Sequence, residues 1–113
     1  LTLDKPLQYM HYGQIQTYDG KRVDQRAEVG LLSRNILLQG RMASSSDTFG
    51  GQVMVMTGGR AFVNSVEFFN MGQEGKLARY PMHWHRMGDS SRGQYIRNSS
   101  IHNSFSRCVT IHG

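Results

Sequence analysis

The stretch NSVEFFNMG (residues 64–72) has a looser counterpart further along the chain in SSIHNSFSR (residues 99–107). Aligning the two places Val66 opposite Ile101, and it places Phe62 near Tyr95 or Ile96. Loose repetition of short strands with polar Asn/Ser corners is typical of a solenoid, in which each coil stacks on the coil before it. Asn suits such corners because it tolerates the left-handed backbone conformation. The pair therefore predicts a parallel β-helix.

Short apolar runs extend this pattern over most of the chain, whereas helical periodicity is weak. Each run has the length of a short strand, and many end in glycine, which adopts the positive φ of sharp turns. We therefore predict an all-β fold. The runs are VGLL (29–32), NILLQG (35–40), QVMVMTGG (52–59), AFVNSVEFF (61–69), YPMHW (80–84), YIRNSSI (95–101) and CVTIHG (108–113).

A β-sandwich is the main competing architecture, since it also uses short strands with frequent turns. A sandwich more often contains Asn-Gly or Asp-Gly hairpin turns, and this sequence has one such pair, Asp19-Gly20. This scarcity favours the solenoid. Gly50-Gly51 and Gly58-Gly59 are predicted as turns, and the composition of residues 41–51 predicts a loop.

The composition limits the classes of partner. The formal charge is +5, which favours nucleic acid, anionic glycans or anionic lipid surfaces. The basic residues are scattered, which argues against a nucleic-acid patch, and no apolar run approaches the roughly 18 residues that a membrane span needs. Cys108 is the one cysteine, so an internal disulfide is excluded. Its apolar surroundings predict a buried thiol.

Two parts of the chain differ in character. The chain of 113 residues opens on LTLDKPL without methionine and stops on a glycine directly after an apolar run, which predicts a fragment of a longer protein. Residues 1–25 are polar, and we interpret them as the end of a preceding β-rich domain or as a linker. Residues 26–113 are predicted to be the first coils of the β-helix, truncated at both ends.

The segment RYPMHWHRMGD (79–89) is the clearest candidate site. In an extended strand, His83 and His85 point to the same face, roughly 6.5–7 Å apart, and Trp84 points to the core. The two imidazoles could ligate a divalent cation with Asp89 or Glu67, or they could share acid–base chemistry. A polar stack that hydrogen-bonds to neighbouring coils is equally consistent with this spacing.

Further candidates follow from the stacking of coils, which lie about 4.8 Å apart. His102 and His112 could join the same surface, or each could be an isolated outward side chain. Arg79 and Arg107 carry forked donors that suit the carboxylates of an acidic sugar, as do Arg86, Arg92 and Arg97, although any one of them can equally be a solvated surface charge.

Five strings carry a resemblance to a known family: RAEVGLLSRNILLQG (26–40), FGGQVMVM (49–56), VEFFNMGQ (66–73), RYPMHWHRMGD (79–89) and YIRNSSIHNSFSRCVTIHG (95–113). Together they resemble the cell migration-inducing and transmembrane hyaluronidases and the fibrocystin-like receptors. Residues 1–25 more loosely resemble the end of the eight-glycine domain that precedes this region. The loop 41–48 lacks the cysteines expected of vertebrate hyaluronidases and Trp84 replaces their Phe, which indicates a microbial or divergent member.

The resemblance implies a right-handed parallel β-helix in the extracellular space or at the cell surface. The hyaluronidase branch implies a polysaccharide hydrolase that cleaves hyaluronan, whereas the fibrocystin-like branch implies an adhesion or receptor module without catalysis. For the first we assign acid–base or cation-binding work to His83, His85, Asp89 and His102. Binding of an acidic polysaccharide is assigned to Arg79, Arg107 and His112.

Overall fold

The computed structural model describes residues 2–41 and 44–113 of the chain. Contacts divide the chain into two units, Leu1–Gly30 and Leu31–Gly113. The all-β prediction is confirmed, because regular structure in the described residues consists of short strands, one turn of α-helix and one 3-10 turn. Among these residues there is no helix with the length and apolar character needed to cross a bilayer.

The first unit contains a β-hairpin. Strands β1 (Gln16–Tyr18) and β2 (Lys21–Val23) pair antiparallel. The turn residues Asp19 and Gly20 have φ values of 48° and 74°, the consecutive positive values that match the twist of a two-residue hairpin. The Asp-Gly signal therefore forms the hairpin turn that this dipeptide favours. The assignment of residues 1–25 to a preceding domain stays a prediction.

The second unit is built from three parallel sheets. The sheets have the orders β3-β6-β9, β5-β8 and β4-β7-β10. Between strands that pair, the chain passes through the other sheets before it returns, as parallel pairing requires. The strands are β3 (Ile36–Gln39), β4 (Val53–Val55), β5 (Phe62–Asn64), β6 (Val66–Phe69), β7 (Met82–His85), β8 (Tyr95–Arg97), β9 (Ser100–His102) and β10 (Val109–His112).

The observed register corrects the predicted alignment of the two similar stretches. Phe62 pairs with Tyr95, as predicted, but Ile101 pairs with Phe68 and not with Val66. The two-residue shift keeps the same side chains on the inner face, since alternate residues of a strand share a face. The error came from aligning letters without the corners that set the register.

Left-handed corners divide two of the predicted runs. Ser65 (φ 58°) separates β5 from β6, and Asn98 (φ 50°) separates β8 from β9. The runs AFVNSVEFF and YIRNSSI, each predicted as one strand, are therefore two strands in different sheets. The prediction that Asn tolerates the corner conformation is confirmed at Asn98, and also at Asn70 and Asn103.

The core lies between the sheets. Phe68, Met82 and Trp84 are at most 2% exposed and form one cluster with Val55, Met71 and Met87. Trp84 is a core residue, as predicted, and its indole N–H donates to Gln94 Oε1 at 3.0 Å. This bond matters because a buried indole N–H without a partner would cost free energy.

Two other predictions of local structure are wrong. The run VGLL is not a strand, and its Leu31 and Leu32 are exposed. Cys108 is exposed, whereas a buried thiol was predicted. It lies directly before β10, and its backbone carbonyl accepts from Met82 N–H at 3.2 Å. In the predicted loop 41–51, a one-turn helix α1 (Ser44–Asp47) is present, and residues 42–43 lie outside the described residues.

Gly50 serves close packing, whereas the sequence predicted a turn. It is buried, its N–H donates to Gly72 O at 2.7 Å, and Gly72 N–H donates to Gly51 O at 2.6 Å. A Cβ at Gly50 would lie 2.8 Å from Gly72 O and closer still to Asn70 O. Backbone atoms cannot move away as a flexible side chain can, so only glycine fits.

We expect Gly50→Ala to destabilise the second unit by about 1–3 kcal/mol, the usual cost of forcing extra volume into a packed interior. Urea unfolding followed by tryptophan fluorescence reports this, because Trp84 lies in the core. Gly30→Ala is the matched control, since a Cβ there meets nothing within 4 Å. Equal stability of both variants would contradict the close-packing role.

Candidate functional site

Three imidazoles meet where β7 pairs with β10. His112 lies opposite His85 in the parallel register, and Thr110 lies opposite His83. His112 Nε2 is 3.0 Å from His83 Nε2 and 3.0 Å from His85 Nδ1. We call His83, His85 and His112 the histidine cluster. The sequence placed all three as candidates, and the stacking of β10 on β7 brings them together.

His83 is the buried member of the cluster. Its side chain is 0% exposed, although it lies on the face of β7 opposite Trp84. The chain turns at Ala78 (φ 66°), and the Ala78 carbonyl accepts from His83 Nδ1 at 3.2 Å. The Tyr80 ring packs edge-on against the imidazole, with the ring centroids 4.9 Å apart. The segment before β7 thus covers the outer face of that strand.

The other two members are more accessible: His85 is half-buried and His112 is exposed. Partial burial lowers the pKa of His85 below its ordinary value, and the positive charges available on His112, His83 and Arg86 lower it further. The His85 imidazole is therefore biased towards the neutral form, which can accept a proton or ligate a metal.

Two exposed guanidinium groups lie beside the cluster. Arg107 lies over the Tyr80 ring, with its central carbon 5.9 Å from the ring centroid. Arg79 Nη1 is 2.5 Å from the Gln52 side-chain oxygen when that amide is oriented to donate to Ala78 O as well, at 3.2 Å. Both predicted substrate-binding arginines are thus connected to the cluster through residues that contact His83.

A separate acid–base pair lies on the sheet of β6 and β9. His102 Nε2 is 2.9 Å from Glu67 Oε1, and Arg34 N–H donates to Glu67 Oε2 at 3.0 Å. The hydrogen bond from His102 and that from Arg34 hold the pKa of the Glu67 carboxyl below its ordinary value. The side chains of His102 and Glu67 are only 19% and 14% exposed.

The structure does not gather all the predicted site residues. Asp89 lies in the 3-10 turn Gly88–Ser91, 88% exposed, with its carboxylate 3.1 Å from Arg92. Within the described chain, the group of ligand atoms that lie within 4.8 Å of one another comprises the histidine cluster, without Asp89 or His102. The catalytic roles assigned to His83, His85, Asp89 and His102 stay predictions.

The pairing of Glu67 with His102 was not predicted from the sequence. Glu67 was considered only as an acidic neighbour of His83 and His85. A correct register of the two similar stretches would have found the pair, because it sets Phe69 opposite His102 and Glu67 opposite Ser100. Glu67 and His102 are then diagonal neighbours on one outer face, within reach of long side chains.

Comparison with known proteins identifies relatives over nearly the whole chain. A family described as the CEMIP beta-helix matches residues 48–113. The chain is 42% identical over 94% of its length to the human cell surface hyaluronidase CEMIP2, and 43% identical over 96% to the human cell migration-inducing and hyaluronan-binding protein. It is 36% identical over 99% of its length to mouse fibrocystin-L.

The chain spans 9% of the length of each of the two human relatives and 4% of fibrocystin-L. No solved structure matches it. The comparisons therefore relate this chain to one region of large proteins.

The pair Glu67–His102 predicts a pH effect on stability. Because the pKa of Glu67 is lower in the folded chain than its ordinary 4.5, its carboxylate stabilises the fold fully above that value, and the contribution is lost as the pH falls through the folded pKa. The difference in unfolding free energy between wild type and Glu67→Gln should therefore be largest near neutral pH and shrink below pH 4.5.

Urea unfolding at a series of pH values measures this difference. Glu74→Gln is the control, because Glu74 is exposed and its substitution should change stability little at any pH. A difference that grows as the medium becomes more acidic would contradict the assigned role of the Glu67 carboxylate.

Proposed function

This chain belongs to the CEMIP beta-helix family, and we propose that it forms part of a right-handed parallel β-helix that binds an acidic polysaccharide of the hyaluronan type at a cell surface or in the extracellular space. Residues 26–113 are its coils in this proposal, and residues 1–25 belong to the preceding domain.

The parallel sheets support the β-helix. Phe62 pairs with Tyr95 and Glu67 pairs with Ser100, so two different sheets advance by the same sequence separation, 33 residues. The other parallel pairs return after 27, 29 and 30 residues (Met82 with Val109, Val53 with Met82, and Ile36 with Val66), so each passage through the sheets forms a coil of similar length. Left-handed residues at the corners between these sheets, at Ser65 and Asn98, fit the same geometry.

The observation that supports binding of a polysaccharide is the extent of similarity to proteins whose names state hyaluronidase or hyaluronan binding. The charge of +5 suits a polyanion. Exposed Arg79 and Arg107 lie beside the histidine cluster, where forked guanidinium donors can bind sugar carboxylates. His112, which is exposed, can add a hydrogen bond from the same surface.

For depolymerisation we propose that the accessible imidazoles transfer protons. Hydrolysis of a glycosidic bond needs a group that protonates the leaving oxygen and another that activates water. His85 has a lowered pKa and is half-buried, which suits the base. Of the other candidates, His102 has Glu67 as a hydrogen-bonding partner that can orient it, and Asp89 is an exposed carboxylate.

A non-catalytic adhesion or receptor module is the second candidate function. Three observations favour it: His83 is buried and bound to a backbone carbonyl, His102 is paired with Glu67, and Asp89 lies apart from the histidine cluster. Side chains held in this way can serve packing and hydrogen bonding alone. Similarity to fibrocystin-L is consistent with this function. Such a module would bind its ligand without releasing fragments.

Replacing both Arg79 and Arg107 with alanine should weaken hyaluronan binding by the full-length protein. Loss of a charge-assisted hydrogen bond costs about 1.5–3 kcal/mol, so we expect about a tenfold or greater loss of affinity per arginine. Surface plasmon resonance at two salt concentrations measures the affinity and its electrostatic part. Arg22→Ala with Arg60→Ala removes the same charge elsewhere and should have a much smaller effect.

Loss of hyaluronan depolymerisation in His85→Ala would support catalysis at the histidine cluster. Removal of a positioned general base typically costs about 10²–10⁴-fold in rate, and gel analysis of hyaluronan chain length measures it. His11→Ala is the control, because His11 is exposed and lies in the first unit. Undiminished cleavage by both His83→Ala and His85→Ala would refute the site, and binding without cleavage by wild type would establish the second function.

A further inference from the structure

We propose that His83, His85 and His112 form a mononuclear binding site for a divalent transition metal of the Zn²⁺ class. The ligand atoms are His83 Nε2, His85 Nδ1 and His112 Nε2. This inference concerns the cluster alone and does not depend on binding of a polysaccharide; with a cation bound, His85 would be a ligand and would no longer be available as the base.

The first argument is the arrangement of protons. A carbonyl only accepts, so the contact with Ala78 O places the His83 proton on Nδ1 and leaves Nε2 as a bare acceptor when the ring is neutral. His112 Nε2 lies 3.0 Å from that acceptor and also 3.0 Å from His85 Nδ1. If His112 Nε2 carries a proton, its single N–H cannot donate to both His83 Nε2 and His85 Nδ1. If His112 Nε2 carries no proton, its lone pair faces the lone pair of His83 Nε2.

Neutral imidazoles therefore cannot make good hydrogen bonds at both contacts. A cation between the three nitrogens resolves this conflict, since each ring then directs a lone pair at the same centre. Neutral imidazole is also the form that ligates metals. The alternative is an additional proton shared within the cluster, and the experiment below distinguishes the two.

The second argument is geometric. Zn–N bonds of about 2.0–2.1 Å in a tetrahedral site separate neighbouring ligand atoms by about 3.4 Å. The two short contacts of 3.0 Å are within a few tenths of an ångström of that spacing, and all three ligand atoms lie within 4.8 Å of one another. Small rotations of His85 and His112, the accessible rings, would bring them to equal distances.

The surroundings of His83 match those of a metal ligand. Ligating histidines commonly donate their second ring N–H to a carbonyl or carboxylate, which fixes the tautomer and the ring orientation. Here Ala78 O accepts from His83 Nδ1 at 3.2 Å, and Tyr80 packs against the ring face-to-edge. The most buried ligand is thus held in place before any cation arrives.

The donor set selects the class of metal. Three imidazole nitrogens suit zinc, copper, nickel or cobalt, whereas calcium and magnesium require oxygen ligands. Three protein ligands also leave a fourth tetrahedral position. His112 is exposed and His85 is half-buried, so this position faces solvent and can take a water molecule or an anionic oxygen.

Cobalt(II) is a suitable probe because tetrahedral Co²⁺ with nitrogen ligands gives intense visible absorption bands. Full-length protein treated with EDTA and dialysed is titrated with Co²⁺ and then with Zn²⁺. We expect one equivalent of Co²⁺ to produce the bands, one equivalent of Zn²⁺ to abolish them, and excess Ca²⁺ to leave them unchanged. Zn²⁺ should also raise the melting temperature of the protein.

His112→Ala should lose the cobalt bands. It should also weaken Zn²⁺ binding by more than the loss of an outer-sphere partner does, which is about 10–100-fold. His112 is exposed, so its replacement should leave the circular dichroism spectrum intact, and His85→Gln provides a second variant. His11→Ala should bind as wild type does. Absence of the bands in wild type, or their persistence in both cluster variants, overturns the proposal, since it would indicate a shared proton or nonspecific surface binding.

Discussion

Parallel pairing of strands from successive passages of the chain fixes the positions of the candidate histidines in the second unit. The register of β7 and β10 places paired residues, such as His85 and His112, on the same face. Met82 and Trp84 therefore enter the core, while His83 and His85 must point outward to meet His112. A shift of the register by one residue would move the imidazoles into the core and expose Trp84, so core and candidate site depend on the same alignment.

The outer faces of two sheets carry different ionisable side chains on strands that pair in the same parallel way. On β7 and β10 three imidazoles converge beside exposed guanidinium groups, whereas on β6 and β9 a carboxylate meets one imidazole. In both places a segment that precedes a strand of the same sheet supplies a backbone group: the Ala78 carbonyl, before β7, accepts from His83, and the Arg34 N–H, before β3, donates to Glu67. The Ala78 carbonyl thereby leaves His83 Nε2 available for a ligand, whereas both oxygens of Glu67 are already hydrogen-bonded.

Much of this arrangement could be predicted from the sequence, because alternation and corner residues are local signals. Trp84 in the core, Phe62 opposite Tyr95 and left-handed asparagines all follow from such signals. The register and the covering of the outer faces could not be predicted in this way, since they depend on coil length and on loops. For this reason the partner of Ile101 was misassigned, the burial of His83 was not predicted and the pair of Glu67 with His102 was not found.

The separation of His112 from His83 along the chain is 29 residues, and this has a mechanical consequence. Tension on β10 would peel the strand from β7 in a zipper-like way, breaking one backbone hydrogen bond at a time. The histidine cluster joins the two strands through side chains near the end of β10, where peeling would begin. The residues between β7 and β10 include β8 and β9, which pair with β5 and β6, so rupture of the cluster would free the end of β10 and leave the rest of the coil in place. The cluster would thus resist the first step of peeling.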